Sequence, residues 1–213
     1  MKPVWFPDWS DRPALLLGAG PSASDMPLEP LQGRVRIMAI NTSYQLAPWA
    51  DALYACDGKW WRWHKGVPEF KGLKIAHDAE AAREYRLHRI DVRTKDDPAC
   101  DALVFDRPGL VARGRCSAHQ ALNLLPQFGV RTILMLGIDC RAQRWHGTHP
   151  NRRPSDPAEL AIWRQKLDAL APAFAQRGIT VINLSRDSAL SAYRKMGFAQ
   201  AVALCDEPAG NAA

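Results

Sequence analysis

The chain has 213 residues, 47% of them hydrophobic, which fits one globular domain with a full core. Its formal net charge of +6 suits an anionic substrate or a nucleic acid, but it is too small to argue nucleic-acid binding unaided. No apolar run approaches the roughly 20 residues that cross a bilayer, and the first residues carry no hydrophobic signal region.

Apolar runs then alternate with helical patterns, which predicts an α/β fold: a single-domain, Rossmann-like, mostly parallel sheet with helices on both faces. Predicted strands cover Ala14–Leu17, Val35–Ile40, Ala52–Ala55, Leu73–Ala76, Ala102–Phe105, Thr132–Leu136 and Thr180–Asn183. The first runs into Gly18-Ala-Gly20-Pro21-Ser22. Paired glycines followed by a Pro-Ser helix start let backbone N–H groups approach an anion, so the stretch reads as a phosphate cradle. A tight strand-to-helix turn without a ligand is the alternative. The dinucleotide fingerprint also wants an acid roughly 20 residues on. Here the second strand ends in Asn41-Thr42-Ser43, which turns the reading from nicotinamide and flavin cofactors towards another nucleotide.

Further along, Lys59-Trp60-Trp61-Arg62-Trp63-His64 interleaves aromatic and basic residues, which suits stacking on a base, a pterin or a sugar, or packing of an amphipathic helix. The charged segment Asp78–Pro98 reads as an excursion or lid within about 57–112. A helix is predicted over Ser117–Phe128, with Pro126 ending it a residue or two early. Another spans Pro157–Arg177, opened by Ser155-Asp156-Pro157, kinked or split by Pro172 and closed by Gly178. A short helix follows Asp187-Ser188, and the tail 206–213 reads as frayed. The five cysteines, Cys56, Cys100, Cys116, Cys140 and Cys205, form no Cys-x-x-Cys and read as reduced thiols in a cytoplasmic protein.

Five pieces, in order, carry a resemblance: Gly18–Ser22, Ala39-Ile-Asn41, Ala52-Leu-Tyr-Ala-Cys-Asp57-Gly58, Ser117 leading to Gly129-Val-Arg-Thr-Ile-Leu-Met-Leu-Gly137-Ile-Asp139, and Ile179-Thr-Val-Ile-Asn183-Leu-Ser185. Over Ala14–Leu190 the chain resembles the superfamily that joins Campylobacter-type sialyltransferases with MptE-like pterin pyrophosphokinases. The resemblance implies a nucleotide-binding α/β transferase, with glycosyl transfer from a nucleotide-activated sugar ahead of diphosphate transfer. Glycosyl transfer would need no cofactor, whereas a pyrophosphokinase would use Mg2+. A non-catalytic nucleotide-binding module and a nucleic-acid-modifying transferase are the rival expectations.

The site residues follow from strand edges. Gly18, Gly20, Pro21, Ser22, Asn41, Ser117 and Gly137 are expected to bind the nucleotide. Asn41 reads the nucleoside or caps a helix, and Ser117 holds a phosphate or caps its own helix. Arg113 and Arg115 would clamp phosphates. His146 or His149, with Asp139, would be catalytic, a histidine taking the acceptor proton. Asp57, Trp60 and Trp61 would face a small-molecule or glycan acceptor. Metal is not expected, because Asp139, Cys140, His146 and His149 match no zinc spacing. A homo-oligomer is compatible with the sequence.

Overall fold

The computed structural model describes residues 2–147 and 155–205. Its strands are β1 (Ala14–Leu17), β2 (Arg36–Ile40), β3 (Ala52–Tyr54), β4 (Leu73–Ala76), β5 (His88–Arg89), β6 (Asp91–Val92), β7 (Leu110–Val111), β8 (Thr132–Leu136), β9 (Thr180–Asn183) and β10 (Arg194–Lys195). The helices are α1 (Gly58–Trp63), α2 (Ala79–Glu84), α3 (Ser117–Gln127), α4 (Pro157–Asp168), α5 (Ala171–Ala175) and α6 (Phe198–Leu204). Eight strands form one parallel sheet in the order β10-β9-β8-β1-β2-β3-β4-β5. β6 and β7 make a separate two-stranded ribbon.

Alternation along the strands builds two cores. Ala14, Leu16, Met38, Tyr54, Ile133 and Met135 face one layer, with Leu122, Leu124, Leu125 and Phe128 around α3. Leu15, Leu17, Ile37, Leu53, Leu134 and Leu136 face the other, with Trp60, Trp61 and Ala201 from α1 and α6. A strand buried on both faces needs a continuous apolar run, and β1 is Ala-Leu-Leu-Leu for that reason. The chain winds from β1 through β5 on one side, then returns to place β8 against the other side of β1. The topological switch point therefore lies between β1 and β8, and the crevice opens at their carboxyl ends.

Several expectations change. Ala102–Phe105 is not a strand, because α3 takes its backbone instead. Asn123 Oδ1 accepts from the N–H groups of Val104 at 3.0 Å and Ala112 at 2.7 Å, while its amide donates to Val104 O at 2.7 Å. Gln127 binds Gly109, Val104 and Leu110 in the same way. The 78–98 segment is less of an excursion than its charge implies. Asp78 caps α2 through the Ala81 N–H at 2.8 Å, and β5 extends the main sheet by pairing with β4. α3 ends at Gln127, one residue short of Phe128, with Pro126 in its last turn as expected. No helix starts at Asp187-Ser188; the next one, α6, begins at Phe198. Ser188 instead turns its hydroxyl onto Ile138 O at 2.8 Å.

Asp156 does cap α4 through the Ala158 N–H, with Pro157 in the first turn. The helix splits into α4 and α5 before Pro172. Gly178, with φ of 63°, follows α5. All five cysteines are free thiols. Among the described residues no helix is long and apolar enough to cross a membrane. The tail 206–213 lies outside the described residues.

Candidate functional site

A cleft of about 540 Å3 opens at the carboxyl edge of β1, β2, β3, β4 and β8. It gathers Gly18 and Gly20 from the end of β1, Asn41 from β2, Asp57 and Trp60 after β3, Ser117 from the start of α3, and Gly137, Asp139 and His146 after β8. Segments far apart in sequence thus meet on one wall. His149 lies outside the described residues. Pro21, Ser22, Arg113 and Trp61 do not line the cleft.

The glycine loop is shaped by its neighbour. A Cβ on Gly18 would overlap Gly137 O, and one on Gly137 would overlap Gly18 O, so the β1 and β8 loops cross in direct backbone contact. Pro21–Ala23 is a single 3-10 turn, too short to act as the expected helix start. Its donors are already used. The Ser22 N–H donates to Asp139 Oδ2 at 3.0 Å, and Ser22 Oγ lies 2.6 Å from Asp139 Oδ1 and 2.7 Å from Ser185 Oγ. A carboxylate only accepts, so Ser22 gives its proton to Asp139 and receives one from Ser185. Ser185 Oγ in turn accepts from the Gly137 N–H at 2.9 Å. The anion in the expected cradle is the protein's own Asp139, which is 5% exposed.

Gly20 has φ of −66°, which any residue adopts, yet its missing Cβ would overlap the Asp139 carboxylate. Gly20→Ala is therefore expected to cost about 1–3 kcal/mol by overpacking. In an Asp139→Ala background the same change should cost far less. Urea unfolding of the two single variants and the double variant measures that coupling. Additive costs would show that Gly20 answers to something other than Asp139.

The start of α3 brings further backbone donors to the cleft. The α3 N-terminus, with Cys116, Ser117 and Ala118 on the cleft, has no side-chain capping bond. Ser117 Oγ accepts from the Cys56 N–H at 3.2 Å, tying α3 to the end of β3. Arg115, Arg141 and Arg144 bring positive charge to this side, while Asp57 and Asp78 line the β3–β4 side. Asn41, Arg115 and Cys140 all adopt left-handed φ (52°, 62° and 51°), a strained conformation for residues with side chains. Asn41 caps nothing: its residue opens a short 3-10 turn whose N-cap is Ile40. Burial pushes the Cys116 and Cys140 thiols up to about 12, so neither is poised as a thiolate nucleophile.

Trp61 corrects the stacking expectation. It is fully buried and its indole donates to Ala55 O at 3.0 Å, so it presents no face to a ligand. Trp60 lines the cleft only at its edge, packed against Trp61 and His64 and donating to Thr42 Oγ1 at 3.3 Å. Trp63, at the same end of α1, and Trp163 from α4 line the cleft as well. His77, absent from the expected site residues, also lines the cleft. It directly follows β4, so the strand-edge rule applied to Asn41 and Asp57 would have found it. Burial lowers its pKa, with Asp78 and Asp57 opposing. The His146 loop is anchored where the Trp145 N–H donates to Ala19 O at 3.1 Å. Among the described residues no three His, Cys, Asp or Glu side chains come together as a metal-ligand set.

The fold and cleft define a Rossmann-like α/β domain with its crevice at the switch point. No family model matches the sequence, and no curated protein matches it. Solved structures do. The chain is similar to the monofunctional alpha-2,3-sialyltransferase Cst-I from Campylobacter jejuni, at 11% identity and a TM-score of 0.60 over 91% of this chain and 83% of that one. It is similar to the MAf glycosyltransferase from Magnetospirillum magneticum AMB-1, at 14% identity and a TM-score of 0.59 over 92% of this chain. It spans only about a third (35%) of that protein's length. The sialyltransferase CstII from Campylobacter jejuni, solved with a trisaccharide acceptor and CMP, matches at 13% identity and a TM-score of 0.51 over 87% of this chain and 86% of that one. At these identities the likeness is one of fold.

Proposed function

We propose that this protein is a transferase that moves a sugar from a nucleotide-activated donor to an acceptor hydroxyl. The observation that carries the reading is the switch-point cleft, where Gly18, Gly20, Asn41, Ser117 and Gly137 share one cavity with the open α3 N-terminus. The fold-level likeness to glycosyl- and sialyltransferases supports the reaction class.

In this reading the donor phosphate lies against the first-turn N–H groups of α3, Ser117 and Arg115. Asn41 reads the nucleoside with an amide that both donates and accepts. Asp57 and Trp60 face the acceptor. His146 or His149 takes the acceptor O–H proton as the acceptor oxygen bonds to the anomeric carbon. The anomeric carbon–phosphate oxygen bond breaks and the nucleotide leaves with the electron pair, its charge met by Arg115 and the backbone donors. Asp139 is a positioning residue, since both its oxygens hold Ser22.

A thermal-shift and calorimetry screen of nucleoside mono-, di- and triphosphates and nucleotide sugars, with and without Mg2+, tests the proposal. A nucleotide sugar that binds without metal and is turned over is the expected result. Preference for a triphosphate with Mg2+ would replace glycosyl transfer by MptE-like diphosphate transfer. Binding without turnover of any donor would leave only a nucleotide-binding module.

A further inference from the structure

A second cavity, of about 650 Å3, opens at the opposite edge of the sheet, where β3, β4 and β5 begin. Trp49 and Asp51 lead into β3, Lys71 and Lys74 flank the start of β4, and Arg86 and His88 stand at the start of β5. The single carboxylate of this wall is already committed. Asp51 accepts from the Ile37 N–H at 2.7 Å and pairs with Arg36 at 3.5 Å.

The donors, by contrast, are open. Lys71 and Arg86 make no hydrogen bond or ion pair with any described residue. The Trp49 indole N–H is buried with no acceptor among the described residues. Arg86 sits at φ of 54° because it closes α2, where the Leu87 N–H donates back to Ala82 O at 2.9 Å, and this places its side chain at the mouth of the cavity. Lys74 adds charge although its Nζ already donates to Gly66 O at 3.0 Å and Val67 O at 3.4 Å. His88 lies flat against the Trp5 ring, with centroids 4.5 Å apart. With its one carboxylate engaged elsewhere, a wall carrying Lys71, Lys74 and Arg86 suits a ligand that accepts and carries more than one negative charge.

We propose that this cavity binds a ligand bearing two or more phosphoryl groups, held by Lys71 and Arg86 beside the Trp49 ring, with Lys74 adding charge. Phosphoryl oxygens accept without donating, and the planar fork of an arginine takes two of them at once. A single carboxylate would leave one of the two cationic segments, Lys71–Lys74 or Arg86, unmatched. The site stands apart from the switch-point cleft, because the parallel strands put their amino ends here and their carboxyl ends there. It does not rest on the transferase reading.

The test is a titration of inorganic pyrophosphate into the full chain, followed by calorimetry and by the Trp49 indole proton signal, assigned with Trp49→Phe. Pyrophosphate is expected to move that signal. The Lys71→Gln/Arg86→Gln double variant should weaken this response by roughly tenfold or more, while nucleotide affinity at the cleft stays unchanged. Both residues lie on the surface, so the variant should fold. ADP moving the same signal at lower concentration than pyrophosphate would identify a nucleotide as the source of the diphosphate, and the reverse order a free diphosphate. Either order supports the site. A Trp49 signal that stays still at saturation, a double variant that responds like the parent, or acetate acting as strongly as pyrophosphate would each overturn it.

Discussion

Alanine at His146 is expected to leave nucleotide-donor affinity unchanged and to cut turnover by roughly 10²–10⁴-fold, the usual share of a general base. The expectation rests on place. His146 lines the cleft, its ring packs edge-on against Trp145 with centroids 5.1 Å apart, and the Trp145 N–H ties the loop to Ala19 beside the glycine turn. A base must stand near the bond that forms while touching little of the bound nucleotide, so the loss should fall on kcat rather than on donor binding. His149→Ala, made in parallel, separates the two histidines: only the variant of the base should lose turnover. If donor affinity falls together with turnover, the histidine supports the loop instead. Turnover at the parent rate in both variants would move the base across the cleft, with His77 and Asp57 the next residues to test.

The central sheet was legible because burial on both faces demands apolar runs: Ala14–Leu17 is wholly apolar, Thr132–Leu136 is apolar after its first residue, and Thr180–Asn183 centres on Val181-Ile182. The edges were not. His88–Arg89 and Arg194–Lys195 are short polar strands defined by their partners, and no local pattern marks them. Ala102–Phe105 has strand-like composition, but its hydrogen bonds go to Asn123 and Gln127, and a single sequence gives no sign of that choice. The candidate site shows the same division. Which loops reach the carboxyl edge followed from strand order. What fills the glycine turn did not, because Ser22 and Asp139 are 117 residues apart. On α1, three tryptophans in four positions must point in different directions. Only the packing decides that Trp61 goes to the core while Trp60 and Trp63 stay by the cleft.

The fold should lose about 3 kcal/mol of stability between pH 6.5 and pH 4 through His119 alone. His119 is fully buried on α3, with neither ring nitrogen bonded to any described residue. It occupies the space left by Gly114, where any Cβ would overlap its ring. Burial lowers its pKa from 6.5 to about 4, with Asp101 opposing and Lys166 adding to the shift. In that window the unfolded chain binds a proton that the fold rejects, so stability is whole above pH 6.5 and drains away as pH falls. His77 and His88 are lowered by burial too and add in the same direction. The lowered carboxyl of Asp101, paired with Lys166, continues the loss in more acid solution. Urea midpoints taken from pH 7 to pH 4 should fall steadily in the parent protein. His119→Phe, close in volume and unable to titrate, should flatten that fall by about one proton's worth. An equal slope in the two proteins would mean that the ring is protonated, and paired, inside the fold.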